Sequence, residues 1–229
     1  MDRRSTRIRA FPRAYHDSGE RSSMNADPRI RIARPADAND VRDIYAPFCE
    51  SSPVTFEETP PTEAEMAERI ESTLETYPWL VCELEEDVVG YAYASRLRKR
   101  RAYQWTVELS VYVDESTRRT GVGRALYESL FAVLERQGVC DAYAVTTVPN
   151  PETERFHERL DFDRVVDFPA MGYIEDEWYD VAWWRRQLTE KADEPTPIRP
   201  FSSVRESDDG RSLVRAGERV LEEDAHASE

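Results

Sequence analysis

Apolar positions along this chain recur with two periods, and the switches between them lay out its elements in order. Residues 29–34 (RIRIAR) alternate and predict a first strand. Val41, Ile44, Tyr45 and Phe48 then fall at i, i+3, i+4 and i+7, so a helix opens after Pro35-Ala36-Asp37. A Pro- and Ser-rich loop over residues 51–61 leads to a second helix. Thr62 and Glu65 form its capping box, and Met66, Ile70, Leu74 and Tyr77 form its buried stripe. Residues 79–84 and 88–95 read as a hairpin across the turn Glu85-Glu86-Asp87. In the next strand, 103–113, Trp105, Val107, Leu109, Val111 and Val113 point one way and Thr106, Glu108, Ser110 and Tyr112 the other. Val122, Leu126, Leu130, Val133 and Leu134 mark a helix that Gly138 stops. A strand over 140–148 and a short helix from Asn150-Pro151 to Leu160 follow, and strands over 162–168 and 179–188, separated by a loop through Gly172, close the series.

Antiparallel hairpins followed by a strand–helix–strand crossover imply an α+β domain, a mixed, mostly antiparallel twisted sheet with helices on its faces. The expected organisation is a disordered extension over residues 1–26, one domain over 27–188, and a flexible acidic tail over 189–229. Leu213, Val214, Val220 and Leu221 could form one weakly amphipathic helix in that tail.

Charge changes this picture only by exclusion. The net charge is −15; residues 1–23 contribute +3 and residues 190–229 contribute −5, leaving −13 on residues 24–189. Nucleic acid is therefore not an expected partner, because phosphate contacts need clustered cations. Lysine occurs only as Lys99 and Lys191, a balance compatible with a high-salt cytoplasm or with an ordinary acidic protein. No stretch approaches the roughly 18 apolar residues of a membrane span, and no apolar segment of the secretory kind follows the early arginines. A cytoplasmic protein without a membrane partner is expected. Cys49, Cys82 and Cys140 stand singly among apolar residues, without metal-ligand spacing, so they read as reduced core residues and no metal is expected.

The stretch richest in chemistry is Arg118-Arg119-Thr120-Gly121-Val122-Gly123-Arg124, between the alternating strand and the amphipathic helix. Glycines there let backbone approach a ligand, and a helix start leaves its first N–H groups unpaired. Such a site suits a pyrophosphate, with Arg118, Arg119 and Arg124 adding charge. Alone, the same glycines would read as an ordinary turn before a helix.

With its neighbours, this loop resembles the acetyl-CoA pyrophosphate loop of GNAT acetyltransferases, and most of residues 29–188 is similar to the phosphinothricin acetyltransferase group within them. The matching segments are Ile32–Asp37 (IARPAD), 77–81 (YPWLV), 90–94 (GYAYA), 102–113 (AYQWTVELSVYV), 150–162 (NPETERFHERLDF) and 178–184 (WYDVAWW). The resemblance implies splayed central strands that hold acetyl-CoA, transfer of its acetyl group to a small primary amine such as an amino acid, phosphinothricin or methionine sulfoximine, and a possible homodimer. It assigns Glu108 as the base that deprotonates the amine and His157 as the group that protonates the departing CoA thiolate. It also assigns Val111, Tyr112, Val113, Thr120, Gly121, Val122 and Gly123 to the cofactor, with the Val113 N–H near the thioester oxygen. Asn150 would bond the pantetheine amide, or serve only as the cap of the helix at Pro151. For the acceptor, the basic loop carrying Arg98 and Arg100, with Tyr103 and Phe56, suits a carboxylate or phosphinate. Met171, Tyr173 and Trp178 either close the other side of that cleft or belong to the core. Asp161 stands where the family has glycine, and tolerates a left-handed turn better than most residues. Two alternatives stay open: acetylation of protein or peptide N-termini, and a non-catalytic acyl-CoA sensor.

Overall fold

The structure, a computed structural model, describes residues 28–51 and 53–226. The expected N-terminal extension lies outside the described residues. The elements run β1 Arg29–Ile32, α1 Ala38–Ser51, α2 Glu63–Leu74, β2 Trp79–Leu84, β3 Asp87–Arg96, β4 Thr106–Val113, α3 Val122–Gln137, β5 Asp141–Val148, α4 Pro151–Arg159, β6 Asp163–Ile174 and β7 Glu177–Gln187. Three short helices follow, α5 Phe201–Arg205, α6 Gly210–Val214 and α7 Glu218–His226.

Strand alternation becomes two faces of one 7-stranded sheet in the order β1-β2-β3-β4-β5-β7-β6. Neighbours are antiparallel except β4 and β5, which run parallel. Registers Trp79↔Tyr93 and Tyr93↔Ser110 put these three residues in one row. Their face is covered by α1 and α2 through buried Val41, Ile44, Tyr45, Met66 and Ile70. The face carrying Leu80, Ala92, Ala94, Val107 and Leu109 packs on Leu126, Leu130 and Leu134 of α3. The polar set Thr106, Glu108, Ser110 and Tyr112 therefore faces the α1/α2 side, and none of the four is exposed.

Local chemistry fixes the element ends. Glu65 N–H donates to Thr62 Oγ1 at 3.3 Å and Thr62 N–H to Glu65 Oε2 at 2.8 Å, the reciprocal cap expected for α2. Gly138 ends α3 at φ 88°, and Asp161 takes the left-handed turn at φ 57°. At Gly90 a Cβ would stand 2.9 Å from Val122 Cγ1 and 3.2 Å from the Tyr112 carbonyl oxygen, so only glycine lets the start of α3 press onto β3. Towards the C-terminus β6 continues to Ile174, and the loop expected through Gly172 is strand. The reversal falls instead at Glu175 and Asp176, both with positive φ.

The tail expected to be flexible is folded back onto α3, and this is the largest correction to the sequence reading. Phe201, Val204, Val214, Val220 and Leu221 are buried in the core that α3 shares with the sheet. Gln137 Nε2 donates to the carbonyls of Thr76 and Arg199 at 2.8 and 2.7 Å, and Gly217 N–H to Ser129 Oγ at 3.0 Å. Apolar residues in the segment are sparse and its helices are too short to show a period. What orders it is a preformed surface rather than its own amphipathicity. Phe201→Ala is expected to lower unfolding free energy by about 3 kcal/mol, read from urea denaturation; a tail free in solution would give no change.

Candidate active site

β4 and β5 pair only over Thr106–Glu108 and Asp141–Tyr143, although β4 runs on to Val113 and β5 to Val148. Beyond Glu108 the strands fork. The Asp114 N–H donates to the Val89 carbonyl at 2.9 Å, which sets the parity of the β3–β4 ladder. Backbone groups of Glu108, Ser110 and Tyr112 face β3, while those of Leu109, Val111 and Val113 face into the fork. The fork thus offers a row of free peptide groups to an extended chain laid between its arms.

The pyrophosphate loop lies at the open end. Gly121 caps α3 at φ 87° with no side chain accepting from the first turn, and Ala125 N–H bonds to Gly121 O at 2.9 Å. The N–H groups of Val122, Gly123 and Arg124 precede that first helical bond and point outward with the helix dipole behind them. Arg119 also takes positive φ. Arg118, Arg119 and Arg124 are exposed and enter no ion pair among the described residues. Thr120 Oγ1 is held by the Thr117 carbonyl at 2.6 Å. A Cβ on Gly123 would meet the Phe156 ring at 3.4 Å, so α3 starts in close contact with α4. Loop, arginines and free donors together fit a CoA pyrophosphate.

Glu108 stands at the closed end, opposite Tyr143 on β5. Burial raises its pKa above the ordinary carboxyl value, and the nearby Arg98 guanidinium pulls the other way. Arg98 itself lies 5.6 Å over the Trp183 ring of β7, bridging the basic loop to the far arm of the fork. Phe56 packs on the backbone of Gly172 in β6, where a Cβ would fall 1.9 Å from the ring. Of the acceptor residues expected from sequence, Arg98 is the one whose charge acts on Glu108. Arg100 and Tyr103 are exposed around the short 3-10 turn that precedes β4. Met171, Tyr173 and Trp178 are exposed on the β6–β7 hairpin and belong to no core.

Three further expectations change. Tyr112 turns its backbone to β3 and its ring to Tyr45 and Phe48, away from the fork. Val113 is five residues from Glu108, about 17 Å along the strand. The last β4–β5 pair, Glu108↔Tyr143, occupies the Leu109 N–H, so the Val111 N–H is the nearer free donor in the fork. His157 is buried in a cage of Tyr127, Phe156, Phe162 and Trp184. Its Nδ1 donates to the Thr153 carbonyl at 2.9 Å and its Nε2 is buried without a partner. Desolvation lowers its pKa to about 4. A neutral imidazole whose only proton is already bonded has none to give at pH 7. Asn150 caps α4 by accepting from Thr153 N–H at 3.3 Å, which leaves its amide NH₂ free.

The acetyltransferase (GNAT) domain model matches residues 30–183. The chain belongs to the GNAT acetyltransferase family. Phosphinothricin N-acetyltransferase of Streptomyces viridochromogenes is 39% identical over 76% of this chain and 95% of its own length. L-methionine sulfoximine/L-methionine sulfone acetyltransferase of Salmonella typhimurium is 30% identical over 71% and 96%. Among solved structures, a GNAT superfamily phosphinothricin acetyltransferase from Sinorhizobium meliloti in complex with acetyl-CoA aligns with TM-score 0.70 and 32% identity, over 76% of this chain and 98% of that one. The protein is thus an acetyl-CoA-dependent N-acetyltransferase. In this GNAT fold the contact of Arg98 with Trp183 was missed from sequence, and nothing local marks it.

Glu108→Gln is expected to lower kcat by about 10²–10⁴-fold and to raise the unfolding midpoint at neutral pH. The folded pKa of Glu108 is raised, so folding favours the protonated form; that stabilisation is complete below the unfolded pKa and is lost as pH rises through the folded one. The mutant's advantage should therefore vanish in acid. Paired denaturation curves at neutral pH and below the ordinary carboxyl pKa check this.

Proposed function

We propose that the enzyme acetylates the α-amine of a free amino acid or amino-acid analogue of the phosphinothricin or methionine sulfoximine type. The observation that carries this reading is the half-buried Glu108 at the closed end of the fork, beneath Arg98 and beside free strand peptide groups. The amine arrives as an ammonium, and the Glu108 carboxylate, made more basic by burial, takes one proton from it. The nitrogen then attacks the thioester carbon to form the C–N bond, Val111 N–H supports the oxyanion of the tetrahedral adduct, and the adduct collapses with cleavage of the C–S bond. Arg98 offers a guanidinium to the acceptor's carboxylate. The CoA moiety lies along Leu109, Val111 and Val113, with Asn150 reaching it from the other arm and its pyrophosphate at Gly121–Arg124. In this scheme His157 shapes the wall under the fork; the nitrogen sheds its second proton to solvent as the adduct collapses, and the departing thiolate takes one up from solvent.

The compartment that fits is the cytoplasm, which holds acetyl-CoA; three buried free cysteines agree with a reducing setting. No helix among the described residues is long and apolar enough to cross a membrane.

Thiol release from acetyl-CoA tests the reading. Turnover with phosphinothricin, methionine sulfoximine or free amino acids, abolished by Glu108→Gln, is expected. Release with peptides alone would move the assignment to N-terminal protein acetylation, and cofactor binding without release to any acceptor would favour a sensor.

A second copy is the proposed occupant of the β6–β7 face, where Val166, Phe168, Met171, Tyr173 and Trp178 are exposed on one hairpin at the end of the sheet. An isologous dimer buries such a patch against itself. Light scattering should give a dimer mass, and Trp178→Glu a monomer.

A further inference from the structure

Two features of the acceptor side are left over by this scheme: a cavity and a buried indole N–H. The cavity, about 150 Å³, lies between α2 and the sheet face that carries Glu108, and Met66, Arg69, Ser72, Thr73, Trp79 and Tyr93 line it. It has room for a small side chain, where a single buried water needs only about 10–15 Å³. Trp79 is 3% exposed and its Nε1–H has no partner among the described residues. A buried donor left unpaired is costly, so such groups ordinarily find an acceptor.

The surroundings define what that acceptor is. Arg69 is the cation at the cavity, and both its terminal nitrogens are taken by Glu57, at 3.1 and 2.7 Å. The Tyr45 hydroxyl is engaged with Thr55 at 2.8 Å. Burial keeps Tyr45, Tyr91 and Tyr93 protonated by raising their pKa values. The remaining wall is uncharged: Met66 and the stacked rings of Trp79 and Tyr93, whose centroids are 4.2 Å apart, with Ser72 and Thr73 on the α2 side. An anion here would lose its hydration, meet a guanidinium already neutralised, and face the Glu57 carboxylate. An uncharged oxygen on an aliphatic stem fits all of these walls.

Position links the cavity to the reaction. Trp79, Tyr93 and Ser110 form one row across three strands, and Glu108 lies one step along the same face. Two strand spacings, about 10 Å, and a two-residue step of about 7 Å put the two backbone positions about 12 Å apart, a gap that an extended amino acid spans between the Glu108 and Trp79 side chains.

We propose that this cavity is the acceptor's side-chain subsite, and that Trp79 Nε1–H donates to an uncharged oxygen (sulfone, sulfoxide or amide) near the tip of an unbranched side chain. The inference rests on Glu108 acting on the α-amine, and it adds that the site prefers neutral oxygenated side chains to anionic ones.

The test uses the full-length enzyme with L-methionine sulfone, L-methionine and phosphinothricin, native and as Trp79→Phe, which keeps an aromatic ring and removes the N–H. The variant should raise KM for methionine sulfone about tenfold, leave kcat within twofold, and leave KM for methionine and for acetyl-CoA unmoved. Equal changes for sulfone and methionine, or none for either, would overturn the subsite. Should Trp79→Phe fold poorly, Ser72→Phe fills the cavity mouth from α2 and should raise KM for the sulfone far more than for alanine; parallel changes would overturn the proposal. If the native enzyme releases no thiol with any acceptor, calorimetric titration of methionine sulfone into the acetyl-CoA-saturated protein separates the two ideas. Binding weakened by Trp79→Phe keeps the subsite while the catalytic reading fails, and absence of binding removes the subsite.

Discussion

The separation of β4 from β5 after Glu108 is the constraint on which the rest of this molecule depends. Hydrogen-bonded strands lie about 4.8 Å apart, and here that contact ends after three residue pairs. Among the described residues Val111 and Val113 are left with peptide groups that no other strand satisfies. Such edges are normally blunted or covered. This one is kept open because both arms are fixed from outside. β4 is tied along its length to β3 and β5 to β7, while α3 and α4 meet beneath the gap through Tyr127 and Phe156. Gly90 matters for the same reason. Without a Cβ there, Val122 can seat α3 close to β3, and the helix start is set at the mouth of the fork.

Burial then sorts the titratable groups into roles. On the α1/α2 face, desolvation raises Glu108 and keeps the tyrosines around it neutral. A carboxylate in that setting is a better base than one in water. Under the fork the same physics acts on His157 with the opposite sign, lowering its pKa to about 4 and removing it as an acid. One cation, Arg98, faces Glu108, and its side chain also reaches Trp183. It therefore joins the base, the acceptor side and the far arm in one electrostatic unit.

Most of the sheet was legible because its signals are local. Period-two alternation gave the faces of β4, the pair Thr62 and Glu65 gave the start of α2, and Gly121 and Gly138 bounded α3. The loop-to-helix turn proposed for the pyrophosphate was legible as a local conformation for the same reason, since one short segment carries the glycines, the arginines and the helix start. What escaped depends on contacts between distant segments. His157 has the right residue type at the right spacing, and only the ring cage around it shows which proton it holds. Phe56 meets Gly172, 116 positions away, through a packing that neither sequence neighbourhood announces. Position 113 was assigned to the thioester from a motif, whereas strand rise, about 3.3 Å per residue, leaves Val111 as the nearer free donor to Glu108.

The tail shows how a stretch with little periodicity becomes ordered. The relatives compared here match no more than 76% of this chain while spanning nearly all of their own, and the segment after β7 is added to that common domain. It wraps behind α3. The fit at Gly217 is close enough that a Cβ would fall 1.8 Å from the Ala125 carbonyl oxygen, and Ser129 receives the Gly217 N–H in a buried hydrogen bond. Glu218 then accepts from Ile30 N–H at 2.8 Å, which covers part of the free edge of β1 and joins the sheet margin to the cofactor helix. Ala125 is two residues from Gly123. A segment that reads as solvent-exposed acid in sequence thus braces, from the outside, the helix whose first turn must present its N–H groups to a pyrophosphate.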